Sequence, residues 1–448
     1  MKKLIILGAG ESGIGAALLA KAKGYDVFVS EKQEIKEEYR IELDQQGIPF
    51  EEGKHTESQI LTADEIMKSP GIPDSESVVK KALAKGLPII SELELAFRFL
   101  SDKNKIITIT GTNGKTTTTL LTYHLLKEAG YNVGMAGNVG NSFARMVLSD
   151  PHEYYVLEVS SFQLDNMYQF KSDVAILLNI TPDHLDRYDY KIENYTASKF
   201  RTLQKMGSVD HFIYFADDQI IANELSKREI AAKKYAVSLS TSASAAFCKE
   251  DKLYIQDLCL ETEKLPLQGK HNYVNLMAAV LASKISGVND SSILKAMETF
   301  KNAAHRMEFV EEIHGIKFIN DSKATNVDAV YYALESFTTP VIWIAGGTDK
   351  GNDYSTLKKV AAKQVKTLIC LGADNQKIIS AFSGVIRDVI DTNHIGKAIE
   401  MAYNYGRSGD TVLLSPACAS FDLFKNYIDR GDQFKAEVKK LKKRFNSH

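Results

Sequence analysis

Residues 105–126 read KIITITGTNGKTTTTLLTYHLL, and this stretch limits the possible folds more than any other. The alternating apolar run Ile106–Thr110 suits a buried strand, GTNG a turn, and Leu120, Leu121, His124 and Leu125 recur at a helical period. Four β-branched threonines, Thr116–Thr119, open that helix although such residues lose χ1 freedom there. A use near the helix start offsets the poor propensity. Gly111 and Gly114 let the backbone approach an anion, and the first helical N–H groups favour negative charge. Lys115 supplies a point charge, and the Thr116 hydroxyl is placed to ligate Mg²⁺. Gly111, Thr112, Asn113, Gly114, Lys115, Thr116 and Thr117 are therefore a candidate cradle for nucleotide phosphates. The loop is a shortened variant, because Ile109 stands where the longer motif has its first glycine. The plain alternative is a glycine turn capping a helix, with Lys115 in solvent.

A chain of 448 residues is too long for one ordinary domain, and two or three are expected. A net charge of −2 argues against nucleic acid as the principal partner. Cys248, Cys259, Cys370 and Cys418 have no CxxC or zinc spacing, so reduced thiols are expected. The basic start runs from LIIL straight into glycines, too short an apolar stretch for a signal sequence, so none is expected. No run of 18 apolar residues exists, so no membrane span is expected and the location reads as cytoplasmic.

Three α/β segments follow one another, at 1–95, 96–302 and 303–448. The first opens with a strand at Lys3–Leu7, the glycine pattern Gly8, Gly10, Gly13, and a second strand at Asp26–Ser30. This G-x-G-x-x-G suits a dinucleotide, a UDP-sugar or another nucleotide diphosphate. Ser30 and Glu31 share the position where an acidic residue would hold a ribose. SPGIP, Ser69–Pro73, reads either as a rigid turn or as a second ligand loop. The second segment carries the phosphate loop and two strands with polar ends, in YYVLEVSSFQL and VAILLNITPDHLD. Glu158 lies in an apolar strand, where a charge needs a partner, and Mg²⁺ is the natural one; a structural salt bridge is the alternative. His184 is a second candidate ligand or a structural histidine. By spacing alone Lys199 is an exposed helix lysine. In the third segment NDSKATN, GGTDKGNDY and SPACASFDLF close successive strands, and three such loops on one sheet suggest a ligand face. Phosphate activation of one substrate and capture by another would fit either a kinase or a ligase, and spacing does not separate them.

GTNGKTTT, EVSSFQL, LNITPDHLDRY, Tyr195–Lys199, GKHNYVN, AHRMEF, NDSKATN and LLSPACASFDLFKNYIDRGDQF together resemble the Mur ligase family along the whole chain. The last two blocks look most like the member that accepts D-glutamate. The D-N-P-R motif of the diamino-acid ligases is absent. The resemblance implies a Rossmann-like N-terminal domain, a central P-loop ATPase-type domain and a C-terminal Rossmann-like domain. It implies ATP and two Mg²⁺ ions as cofactors, with UDP-N-acetylmuramoyl-L-alanine and D-glutamate as substrates of a cytoplasmic monomer. Ser12, Ser30, Glu31, Lys32, Ser69 and Gly71 would hold UDP. Asn138, Ser160 and Gln163 would position the muramoyl-alanine arm. Lys115, Thr116 and Glu158 would bind ATP and Mg²⁺, and His184 a second Mg²⁺. Lys199 would be carbamylated and bridge to the metal. Asn272, Asn275, Arg306 and Asp321 would frame adenosine and phosphates, and Lys323, Thr325, Lys350, Ser420 and Phe421 would receive D-glutamate. Ser30-Glu31-Lys32 departs from a more usual acidic-led triplet.

Overall fold

The computed structural model describes residues 1–349 and 351–446. The apolar runs build three sheets, each flanked by helices. The first is wholly parallel, with β1 (Lys3–Leu7), β2 (Asp26–Ser30), β3 (Phe50–Glu51), β4 (Glu65–Lys68) and β5 (Ile89–Ile90) in the order β3-β2-β1-β4-β5. Leu4–Leu7 are fully buried, as expected for a central strand covered on both faces. The order reverses beside β1, and ligands of such sheets bind at that crevice.

The second sheet contains β6 (Lys105–Thr110), β7 (Val133–Gly137), β8 (Tyr154–Glu158), β9 (Val174–Leu177), β10 (His211–Phe215), β11 (Lys233–Ser238), β12 (Ala246–Lys249), β13 (Lys252–Ile255) and β14 (Leu258–Glu261). Its order is β14-β13-β12-β11-β10-β9-β6-β8-β7, parallel from β7 to β12 and antiparallel in the β12–β14 meander. The central strand β6 feeds the phosphate loop, and β8 and β9 flank it. The helix Lys115–Glu128 packs on β7, β8 and the helix Asp290–Thr299. All four threonines at its start are buried, so their compact branched side chains serve close helix–sheet packing.

These two sheets belong to one unit, Met1–Pro266 with Val274–Phe300. One hydrophobic cluster runs through both, joining Leu4, Ile6, Leu19 and Leu93 to Ala136, Phe143, Tyr155 and Phe170. The chain passes between the sheets through the helix Glu92–Phe97. There the buried Glu94 carboxylate accepts the N–H groups of Tyr168, Gln169 and Phe170 at 2.9–3.0 Å, and Arg98 pairs with it at 3.2 Å. Three N–H donors and a guanidinium satisfy the buried charge.

The other unit comprises Leu267–Tyr273 and the chain from Lys301 onward. Its sheet holds β15 (Glu308–Ile313), β16 (Ile316–Asn320), β17 (Val341–Ala345), β18 (Val365–Leu371), β19 (Asp388–Thr392) and β20 (Thr411–Leu414), in the order β15-β16-β20-β17-β18-β19. Only β15 is antiparallel. Apolar clusters cover both faces, one around Trp343, Leu368 and Phe382, the other around Phe318, Ile344 and Phe434. No helix among the described residues is long and apolar enough to cross a membrane, and all four cysteines are free thiols.

Candidate active site

The phosphate loop is held open by its own glycines and by the segment after β9. Gly111 and Gly114 have φ of 148° and 86°, and a Cβ on Gly114 would collide with the Asn275 carboxamide. Only glycine meets both demands without strain. Asn179 accepts the Asn113 N–H on its side-chain oxygen at 2.8 Å and donates back to the Asn113 carbonyl at 3.0 Å. The Thr112 hydroxyl bonds the Thr181 carbonyl at 3.1 Å and the Tyr195 hydroxyl at 3.2 Å, and accepts the Thr181 N–H at 3.0 Å. Asn179 and Thr181 were not singled out from sequence, because LNIT reads as the tail of a strand.

Lys115 begins the helix and lays its amine on the Gly111 and Thr112 carbonyls at 2.9 and 2.7 Å. The exposed position expected for Lys199 from helical spacing is wrong. Lys199 is 1% exposed, and its amine donates to the Gly111 carbonyl at 2.8 Å while lying 4.5 Å from the centre of the Tyr195 ring. The helix Ile192–Phe200 turns this face inward with Tyr195, Thr196 and Phe200, so an apolar flank carries the lysine into the core. Burial first, and the charge of Lys115 second, push its amine well below the ordinary lysine range.

Glu158 ends β8 and is 2% exposed. Asn138 reaches it twice, its side-chain amide to Oε1 and its backbone N–H to the Glu158 carbonyl, both at 2.9 Å. Glu158 and Thr116 are buried oxygen donors and His184 a half-exposed imidazole, donor types that suit Mg²⁺, which binds through one or two carboxylates and fills its shell with water and phosphate oxygens. Among the described residues no group of three His, Cys, Asp or Glu side chains is gathered to hold a metal ion. His184 takes a left-handed backbone conformation (φ 52°), is about half exposed, and stands edge-on to Phe162 at 5.2 Å. Ser160 and Gln163 bind each other in a capping box at the start of the turn Ser161–Leu164.

At the first sheet, Gly13 approaches the Gly8 carbonyl so closely that a side chain has no space, which seats the helix Glu11–Ala22 with Ser12 on β1. Glu31 folds back and accepts the Ala9 N–H at 2.7 Å and the Gln33 N–H at 3.0 Å. Ser30 is fully buried, with its hydroxyl 2.7 Å from both Glu51 Oε1 and His55 Nδ1. Lys32 is exposed and pairs with Glu76 at 3.0 Å. In SPGIP, Ser69 faces the Gly8 carbonyl at 3.5 Å and Gly71 is exposed. The buried Lys68 holds that loop through the Ile72 carbonyl at 2.8 Å.

In the C-terminal unit, Asp321 directly follows β16 and accepts the Ser415 hydroxyl at 2.9 Å and the Met307 N–H at 3.2 Å. Burial pushes its carboxyl up to about 7, against the pull of those donors. Asn272 is buried and donates to the Gln268 carbonyl at 2.8 Å, while burial and Arg306 lower His271 to about 4. Lys323 lies over Tyr427 at 5.2 Å; Thr325 and Phe421 are exposed, and Ser420 is buried. Lys350 lies outside the described residues. Arg430, not singled out from sequence, is fully buried and ties two of the loops together. Its Nε donates to Ser322 Oγ at 3.0 Å, its Nη2 to the Ser322 carbonyl at 2.9 Å and its Nη1 to the Cys418 carbonyl at 3.2 Å.

Comparison with known proteins identifies the family. Residues 3–78 match the MurD N-terminal domain, 109–283 the Mur ligase middle domain, and 305–418 the glutamate ligase domain of Mur ligases. A UDP-N-acetylmuramoylalanine–D-glutamate ligase of Cytophaga hutchinsonii is 51% identical over 98% of this chain and 99% of its own length. One from Bacteroides fragilis is 49% identical over 98% and 100%. Among solved structures, the UDP-N-acetylmuramate-alanine ligase MurC of Thermotoga maritima superposes with a TM-score of 0.63 at 18% identity, covering 99% of this chain and 100% of its own. The MurF ligase of the same organism, solved with ADP, gives 0.63 at 16% identity over 92% and 95%.

Proposed function

The chain belongs to the Mur ligase family, and on that premise we propose that it joins D-glutamate to UDP-N-acetylmuramoyl-L-alanine through an acyl phosphate made with ATP. The relatives of the same name over nearly the full chain carry this reading and turn the choice between kinase and ligase towards the ligase. The reaction belongs to peptidoglycan precursor synthesis, whose nucleotide-linked substrates suit a cytoplasmic enzyme.

The loop Gly111–Thr117 cradles the ATP phosphates with its N–H groups and the Lys115 charge. Thr116, Glu158 and His184 would hold Mg²⁺, two ions in all, which would supply positive charge to neutralise and orient the phosphates. Asn138, Ser160 and Gln163 place the alanyl carboxylate, whose oxygen attacks the γ-phosphorus as the bond to ADP breaks. The amine of D-glutamate, received by Lys323, Thr325, Lys350, Ser420 and Phe421, then attacks the acyl carbon. It gives up a proton, and inorganic phosphate leaves. Asn272, Asn275, Arg306 and Asp321 frame the nucleotide, and Ser12, Ser30–Lys32, Ser69 and Gly71 the uridine end. Of these, Ser30 serves indirectly, because Glu51 and His55 occupy its hydroxyl.

Lys199 works as a carbamate. Its buried amine gives up its charge readily, and a neutral amine is the form that adds to CO₂, forming an N–C bond and releasing one proton. The product replaces the second of two crowded cations with an anion able to bind a hard metal. Phosphate release should need all three substrates, with D-glutamate far preferred over L-glutamate. Stable phosphorylated product without any amino acid would instead establish a kinase.

A further inference from the structure

The segment Asn138–Ser142 leaves β7 and enters the helix Phe143–Ser149. At its near end Asn138 binds Glu158; at its far end the holding groups come from the first domain. Glu92 is 2% exposed, and its Oε1 accepts both the Ser142 hydroxyl and the Ala144 N–H at 2.6 Å. Ser142 Oγ in turn accepts the Arg145 N–H at 3.1 Å and caps the helix. Glu11, at the start of the nucleotide-side helix, accepts the Ser142 N–H at 3.3 Å and Arg145 Nε at 3.1 Å. Gly15 lies so close to Ser142 that no side chain fits between them. Four residues from Asn138, the backbone is therefore fixed from three sides.

A carboxyl group is a poor choice for packing alone, since its burial costs desolvation that an apolar side chain avoids. The charge facing Glu92 is that of Glu11, which has the same sign. Glu92 does supply one thing an apolar residue lacks, an acceptor shared by a cap hydroxyl and a helix N–H.

We propose that Glu92 is a positioning residue for the ligation: acting through Ser142 and Ala144, it sets the place of the Asn138 segment and so the seating of the muramoyl-alanine arm beside Glu158. This rests on the assignment of Asn138 to that arm. Steady-state kinetics of the full-length enzyme separate the two ideas. Asn138→Ala should raise KM for UDP-N-acetylmuramoyl-L-alanine about tenfold. No rise there removes the assignment of Asn138, whatever Glu92 does. Glu92→Ala should give a comparable rise and leave KM for D-glutamate within about twofold. Glu92→Gln keeps an acceptor oxygen and should return KM to within about threefold of the parent. Ser142→Ala removes the hydroxyl from the other side and should reproduce the effect even if Glu92→Ala fails to fold. A tenfold effect in Asn138→Ala with none in Ser142→Ala and Glu92→Ala overturns the proposal. So does a Glu92→Gln variant as impaired as Glu92→Ala.

Discussion

Lys115 and Lys199 direct their amines at the same oxygen, the carbonyl of Gly111, at 2.9 and 2.8 Å. Two cations beside one carbonyl repel, and Lys199 has no water to spread its charge. The pair keeps Lys199 poised to be neutral.

That poise makes Lys199 replaceable by a small anion. Lys199→Ala should lose at least about a hundredfold in kcat, and acetate or formate should restore part of it by filling the vacated place. Lys199→Met, which keeps the bulk, should respond to neither. Carbon NMR of the protein at neutral pH in isotopically labelled bicarbonate checks the modification separately; no carbamate signal together with an active Lys199→Ala variant refutes it.

Glu158→Gln keeps the shape and the bond to Asn138 but removes the charge. Turnover should fall by roughly 100-fold, about 3 kcal/mol of transition-state stabilisation, with little change in thermal midpoint. Normal turnover at saturating Mg²⁺ would assign Glu158 to structure alone.

Gly114 is the most restrictive backbone position of the loop. Gly114→Ala must hold φ of 86° and displace the Asn275 side chain, at a cost of about 1–3 kcal/mol. Calorimetric titration with ADP should show affinity at least about tenfold weaker. Adding Asn275→Ala removes the collision but not the strain, so only partial recovery is expected.

Glu92 should mark the pH dependence of stability. Burial, with Glu11 adding to it, raises its carboxyl from the ordinary 4.5 to about 7, against donors at Ser142 and Ala144 that pull it down. Below 4.5 both folded and unfolded chains hold the proton; between 4.5 and about 7 only the folded chain does. Stability from this group is therefore complete at low pH and lost as pH rises through about 7, by at most about 3 kcal/mol. Glu92→Gln cannot ionise, so its thermal midpoint should gain on the parent's between about pH 5 and pH 8. Parallel curves would show that Glu92 does not titrate there.

Arg430 should govern the amino-acid end. Arg430→Met removes four hydrogen bonds to Ser322 and Cys418 and strands two buried carbonyls. KM for D-glutamate should rise roughly tenfold, with a loss of about 1–3 kcal/mol in stability and no change in KM for the UDP substrate. An unchanged KM for D-glutamate would show that the two loops keep their places without it.

What was legible in the sequence was local. The strand, glycine loop and helix at 105–128 follow from period and turn chemistry among neighbours, and the structure places all three there. Helical spacing alone puts Lys199 in solvent, whereas its amine is buried and meets the Gly111 carbonyl, 88 residues away, a partner no local pattern displays. Ser30 shows the same limit: its place at the end of β2 was readable, but Glu51 and His55, which take its hydroxyl, arrive with and after β3. Asn179 and Thr181 splint the phosphate loop from the segment after the neighbouring strand β9, which a one-dimensional period cannot position.

The carboxylate of Glu94, buried among three N–H groups from 168–170, has a consequence for exchanging parts between relatives. A chimera that replaces residues 1–95 alone inherits a foreign partner for that acceptor and a foreign half of the apolar cluster it seals. It also separates Ser91 from the Asn166 carbonyl that its N–H binds at 2.9 Å. The smallest transferable module is therefore the discontinuous unit that holds both sheets, Met1–Pro266 with Val274–Phe300. Recombination that respects that module should yield folded hybrids where a cut at a linear boundary does not.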